Sequence, residues 1–199
     1  MNPNDYELNI LKYEDAIKID KRTYIEYYLS LLKINHIIIF AFCNNNDYNS
    51  KIIKIFLFFF SFILFYSVNA LFFNDSTMHQ IYEDEGAYNF IYQIPQIIYS
   101  SLISSIVSII IKLLSLSEKN ILKIKDFKDI LYLDNKAKEI SQCLYKKFIC
   151  FFLVVFIFLI FFWYYLSCFC AVYKNTQIHL IKDSIISFTV SLISFFSFY

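Results

Sequence analysis

The sequence is almost without glycine. Gly86 is the only one in 199 residues. A single glycine cannot build a phosphate-cradling loop, a dinucleotide fingerprint or a nucleophile elbow. Collagen-like repeats and all-β folds that turn on glycine are excluded with them. Arginine is equally rare, with Arg22 alone, and Lys+Arg (18) nearly balances Asp+Glu (17) for a net charge of +1. A nucleic-acid binder carries a basic excess on one face, so no nucleic acid is expected as a partner. The five cysteines, Cys43, Cys143, Cys150, Cys168 and Cys170, are odd in number and irregular in spacing, which is no disulfide framework.

Isoleucine (34), phenylalanine (24), lysine (17) and asparagine (14) are abundant, while alanine (6) is scarce. These preferences follow A/T-rich codons, so a lone Asn or Phe carries little argument. Hydrophobic residues make up 58% of the chain, a figure that includes 17 tyrosines. Without tyrosine the share is about half, the upper edge of an ordinary globular chain. The arrangement must decide.

A helix crossing the ~30 Å hydrocarbon layer needs about 20 mostly apolar residues. Four windows lack charge: Ile55–Asn74, Gly86–Ile111 with its apolar part from Ile94, Phe148–Tyr173, and Ser184–Tyr199. The first extends back to Ile52, because Lys54 can snorkel its ammonium to the headgroups. The fourth has 16 residues, about 24 Å of helix, a short span or a re-entrant piece. Buried core helices also read apolar all round, but rarely run uninterrupted past ~18 residues. The expected fold is all-α: an integral membrane helical bundle with about four transmembrane helices, at 52–73, 94–111, 148–173 and 184–199. Residues 1–51 form a cytosolic, amphipathic segment before the multi-pass domain 52–199.

Lysine placement orients these spans. Lys12, Lys18, Lys21, Arg22, Lys33, Lys51 and Lys54 precede Ile55; the stretch Asp75–Gln93 has no lysine or arginine and four acids; Lys112–Lys147 has nine lysines; Lys174–Asp183 has two. The alternation puts the N-terminus in the cytosol. Residues 1–33 have no apolar core and read as no cleavable signal, so the first span serves as the insertion signal. Within the N-terminal segment Glu14 and Lys18 form an i,i+4 pair, and Leu29–Cys43, broken by Lys33 and His36, suits an interfacial helix better than a span. Asn44–Asn49 reads as a polar turn. Ser115 and Glu118 have capping-box spacing, ahead of a basic amphipathic pattern at Ile121, Ile124, Phe127 and Leu131 that suits an anionic membrane surface or packing on a neighbour.

Serines stripe two spans. Ser100, Ser104 and Ser108 are four apart, with Ser101 and Ser105 alongside, and Ser184, Ser187, Ser191 and Ser194 follow at 3-4-3 spacing. Small hydroxyls on one face let helix backbones approach and bond across; a polar path is the competing reading. No ionisable residue lies deep in any window, which argues against ion or proton sites. Asn69, the amide inside the first span, is expected to hydrogen-bond between helices. Pro95 suits a first helical turn, where its missing N–H is harmless. His79 and Glu83 are one turn apart, but no second histidine lies nearby, so neither a metal nor a catalytic site is expected. No cofactor is expected. Cys168 and Cys170 at i,i+2 spacing diverge on a helix. Trp163, Tyr164, Tyr165 and Tyr173 suit an interfacial belt, and Asn74-Asp75-Ser76 is a glycosylation sequon in the expected outer loop.

The strings DYNSKIIKIFLFFFSF, VNALFFNDSTMHQIYEDEGAYNFIYQIPQIIYSS and LLSLSEKNI, with FFWYYLSCFCAVYKNTQIHLIKDSIISF at 161–188, resemble a multi-pass module of uncharacterised, ciliate-type protist proteins, often found at the C-terminal end of large surface proteins. A fainter resemblance is to the early membrane helices of polycystin-1-like proteins, carried by Asn69, Ala70, Leu71, Phe72, Phe73, Ser104, Ser105 and Trp163. This chain lacks the extracellular modules and six-helix channel domain of that family, so no pore residues transfer. The resemblance implies relatives that continue past the position of Asp183, so a shortened copy or a fragment is expected. The expected function is non-catalytic, a membrane anchor or assembly module that packs with other transmembrane helices in the lipid bilayer; the alternative is a channel or transporter component of polycystin-like type.

Overall fold

A computed structural model describes residues 4–43, 47–125, 133–174 and 176–197, without the side chains at 123, 133 and 194–197. Ten helices follow one another in this part: α1 (Asp5–Asn9), α2 (Tyr13–Ile19), α3 (Tyr24–Asn35), α4 (Ile37–Phe42), α5 (Lys51–Phe72), α6 (Asp75–Glu83), α7 (Phe90–Ser115), α8 (Glu118–Lys125), α9 (Leu133–Val172) and α10 (Gln177–Ser197). No strand occurs among the described residues, and the fold is all-α. Three helices, those built on α5, α7 and α9, are long and apolar enough to cross a membrane.

The windows are apolar because lipid or protein must cover them, and the helices outrun them. α7 starts four residues before the expected 94–111 span and ends four after it. α9 has 40 residues, about 60 Å of helix, so its polar N-terminal third continues the same rod. α10, expected as a span from Ser184, begins at Gln177 and carries Lys182 and Asp183 in its second turn. Pro95 is not in the first turn of α7 but inside the helix, where its missing N–H deprives the Ile91 carbonyl of its regular partner.

Packing groups the described residues into two compact units, one drawn from 4–58, 116–146 and 194–197, the other from 59–115 and 147–193. In the first unit, short helices start on side-chain caps. Asn4 with Glu7, and Thr23 with Glu26, form reciprocal capping boxes. The extended backbone of His36 separates α3 from α4, so the apolar stretch 29–43 is two pieces rather than one helix. Arg22 is the hub. It grips Asp20 through Nε and Nη2 at 2.9 and 2.7 Å and donates to Ser30 Oγ at 3.0 Å and Asn9 Oδ1 at 2.9 Å. The fixed fork of guanidinium donors serves three acceptors that lysine could not reach together.

The start of α8 corrects the expected capping box. Ser115 closes α7, and its hydroxyl donates to the Lys112 carbonyl. The Asn49 amide oxygen takes the capping role instead, accepting the Ser117 and Glu118 N–H groups at 3.0 and 3.3 Å. Beside it the buried Lys54 ammonium is neutralised by Asp47 at 2.9 Å, so it does not reach outward as a snorkelling lysine would. Of the amphipathic pattern that follows, Phe127 and Leu131 lie outside the described residues.

The second unit holds an apolar core of Ala70, Phe73, Met78, Ile81, Phe169 and Leu180. Phe73 meets Phe169 edge to face at 5.5 Å, and the Tyr165 hydroxyl donates to the Ala70 carbonyl at 3.2 Å. α6 ends in a Schellman arrangement: Gly86 N–H bonds the Ile81 carbonyl at 2.8 Å and Glu85 N–H the Tyr82 carbonyl at 3.1 Å. Glu85 (φ 52°) and Gly86 (φ 82°) are both left-handed, so the lone glycine sits where the turn needs it and a glutamate adopts the strained position before it.

Candidate functional site

The second unit encloses a polar seam between apolar helices. Asn69, Ser100 and Ser187 come from α5, α7 and α10 and are all fully buried. Ser100 Oγ lies 2.8 Å from Asn69 Oδ1 and 3.2 Å from Ser187 Oγ, and the Ser187 hydroxyl reaches Asn69 Oδ1 at 3.2 Å. The Asn69 amide donates to the Phe65 carbonyl at 2.9 Å, which fixes the orientation of its oxygen. The seam continues with Ser105 and Ser191 at 3.2 Å and Ser61 and Ser108 at 3.3 Å. Helices placed this close need residues without bulk, and each hydroxyl pair satisfies groups that hydrocarbon would leave bare.

The stripes read from the sequence are therefore partly joined and partly not. Ser100, Ser108, Ser187, Ser191 and Asn69 take part in bonds between helices. Ser184 is buried but bonds within α10, to the Leu180 carbonyl at 2.6 Å. Ser104 is buried with no hydrogen-bond partner for its hydroxyl, and it is its neighbour Ser105 that bonds α10. Ser194 lies outside the described side chains.

One end of the seam was not expected. Asp183, counted by sequence with an outer loop, is fully buried. Its carboxylate accepts the Tyr88 hydroxyl at 2.5 Å and the Gln96 amide at 3.3 Å, and Gln96 also approaches the Asn69 carbonyl at 3.5 Å. Burial pushes the Asp183 carboxyl up to about 6, against the Tyr88 hydrogen bond and the Lys182 charge, which both pull it down. Burial likewise raises Tyr88, helped by its bond to Asp183. His179 stacks on the Tyr88 ring at 5.8 Å, and its basicity is lowered by burial and by Lys182. Lys182 lies over the same ring, 5.1 Å from its centroid. The signal for Asp183 was present in the four-residue spacing of Asp183, Ser187 and Ser191, which places all three on one face of a helix.

The remaining candidates sit apart. His79 and Glu83 are on the exposed side of α6, and no group of three His, Cys, Asp or Glu side chains that could hold a metal ion occurs among the described residues. Asn74 of the sequon is the N-cap of α6, its oxygen accepting the Thr77 N–H at 2.9 Å. Cys168 is exposed, Cys170 half-buried, and both are free thiols. Trp163 and Tyr164 are largely exposed, whereas Tyr165 packs inward and Tyr173 donates to Asp75 at 3.0 Å. Comparison with family models, with curated proteins and with solved structures gave no match.

Proposed function

We propose that this chain is a non-catalytic membrane module, an anchor whose helices assemble by packing among themselves and with other transmembrane helices in the bilayer. The observation that carries this is the use made of the serines. Several of their hydroxyls are consumed between helices, Ser100 with Asn69 and Ser187, Ser105 with Ser191, and Ser61 with Ser108. A conducting path would need such groups turned to a water-filled lumen. Meanwhile Leu102, Ile106 and Ile110 of α7 and Phe152, Phe156 and Ile160 of α9 are exposed, a surface for acyl chains or partner helices. The positive-inside distribution of lysine assigns the N-terminus to the cytosol in this reading, and the resemblance to protist surface-protein modules agrees with an anchoring role.

A second reading, a channel or transporter component, is favoured by one observation: the buried, ionisable Asp183 beside the polar seam. Intramembrane or membrane-edge carboxylates mark ion and proton pathways, and the polycystin-like strings point the same way. Reconstitution separates the two. The anchor reading expects no tracer flux or current above protein-free liposomes, and retention at the membrane of a soluble reporter fused to the chain. Flux that disappears in Asp183→Asn overturns it in favour of transport.

A further inference from the structure

We propose that Glu118 is the proton-operated catch of a latch that holds the start of α8 on the segment ahead of α5. The latch lies wholly within the first unit. Asn49 is its centre. The Asn49 oxygen accepts the Ser117 and Glu118 N–H groups at 3.0 and 3.3 Å, and its amide nitrogen donates to Asp47 Oδ2 and to Glu118 Oε2, each at 3.0 Å. The Ser117 hydroxyl donates to the Tyr48 carbonyl at 2.8 Å. One asparagine side chain thus caps a helix far along the sequence and gathers two carboxylates on a single amide.

The charges in this cluster do not balance. The Lys54 ammonium bonds both oxygens of Asp47, at 2.9 and 3.1 Å, and lies over the Phe40 ring. Glu118 is therefore a second carboxylate beside a pair that is already neutral. It is 4% exposed, and its Oε1 is closed off without a hydrogen-bond partner. A buried carboxylate oxygen left bare carries a penalty that protonation removes. A proton needs no cavity, since it exchanges during brief openings of the latch. The groups that face Glu118 are Asp47 and Tyr48 from the segment before α5, Lys54 from α5 and Tyr6 from α1. Burial and then Asp47 push its carboxyl up to about 7, against the Asn49 and Tyr48 hydrogen bonds and the Lys54 charge. Tyr6 is itself raised, by burial and by Glu118, and stays neutral throughout this range. α7 ends at Ser115, so Glu118 stands beyond that apolar helix, in the first turn of α8. The far end of α8 is held differently, by the ion pair of Lys125 with Glu7 at 2.6 Å, whose partners both stay charged between about pH 6 and pH 8. The closed latch binds the Glu118 proton more tightly than an open one, where the ordinary value of 4.5 applies. Its contribution is complete below about pH 4.5 and is lost as pH rises through 7. The start of α8 then loosens while its end stays tethered. This holds whether the module anchors or conducts.

The test follows hydrogen exchange of the full chain in detergent micelles by mass spectrometry, with each rate divided by the intrinsic rate at that pH. Between about pH 6 and pH 8 the protection of peptides covering 47–54 and 117–122 should fall about tenfold. Glu118→Gln, which has no proton to lose, should hold the protection at 117–122 level over the same range. Asp183→Asn, in the other unit, should leave the fall intact. Level protection in the unaltered chain, a fall of equal size in Glu118→Gln, or a fall abolished by Asp183→Asn overturns the proposal. Should Glu118→Gln fail to fold, infrared spectroscopy of the unaltered chain carrying isotope-labelled glutamate decides. A C=O band of protonated glutamate, separated from Asp183 by the isotope, is expected at about pH 6 and should be largely gone by about pH 8. Absence of that band at the lower pH, or a band of equal strength at both, overturns the latch.

Discussion

Single residues hold strain and charge that composition cannot reveal. Arg22 is the only arginine and joins Asp20, Ser30 and Asn9. Arg22→Lys keeps the charge and loses the fork, and should weaken the N-terminal helices by about 1–3 kcal/mol; faster hydrogen exchange over α1–α3, with α9 unchanged, is the expected readout. Glu85 occupies a left-handed position at a helix end. Glu85→Gly should raise the stability of the second unit by about 0.5–1 kcal/mol, seen as a higher melting temperature of the solubilised chain, whereas Gly86→Ala should lower it. Asp183 makes stability depend on pH. Its carboxyl titrates near 6 in the folded chain against an ordinary 3.8, so the folded state holds the proton more tightly than the unfolded one. This contribution is complete below about pH 4 and is lost as pH rises through 6. Circular-dichroism melting should therefore show a drop between about pH 4 and pH 6, levelling off above about pH 7, that Asp183→Asn flattens; an equal drop in both chains would contradict the assignment.

At the scale of elements, the apolar runs made α5, α7 and the C-terminal part of α9 legible, because a run too long for a soluble core has few other destinations. What periodicity could not give was partner choice. The four-residue ladder of Ser100, Ser104 and Ser108 fits one helix face, yet α10 meets Ser105 rather than Ser104, a register set by how the two helices cross. Asp183 was hidden by a boundary: counted with a loop, it lost its link to Ser187 and Ser191 four and eight residues on. Ser115 misled similarly, since capping-box spacing is local while the actual cap, Asn49, is far away in sequence. The seam predicts a graded mutational response. Asn69→Ala should cost about 0.5–2 kcal/mol, the range of interhelical polar contacts in membranes. Ser100→Leu and Ser187→Leu, which force bulk into a buried contact, should cost more, typically 1–3 kcal/mol. Ser167→Leu, on an exposed part of α9, should be neutral. Unfolding in mixed micelles, followed by circular dichroism, orders these variants.

For the whole molecule, membrane residence is what gives the exposed isoleucines and phenylalanines of α7 and α9 a physical reason. Such an apolar surface in water would be an aggregation site; in lipid it is the solvent-facing side. The most direct measurement is sodium carbonate extraction at high pH of membranes from cells expressing the full chain, followed by flotation through a density gradient. The chain should remain in the floating, carbonate-resistant fraction and move to the soluble fraction only on addition of detergent. Recovery in the carbonate supernatant, folded and helical without detergent, would contradict the account.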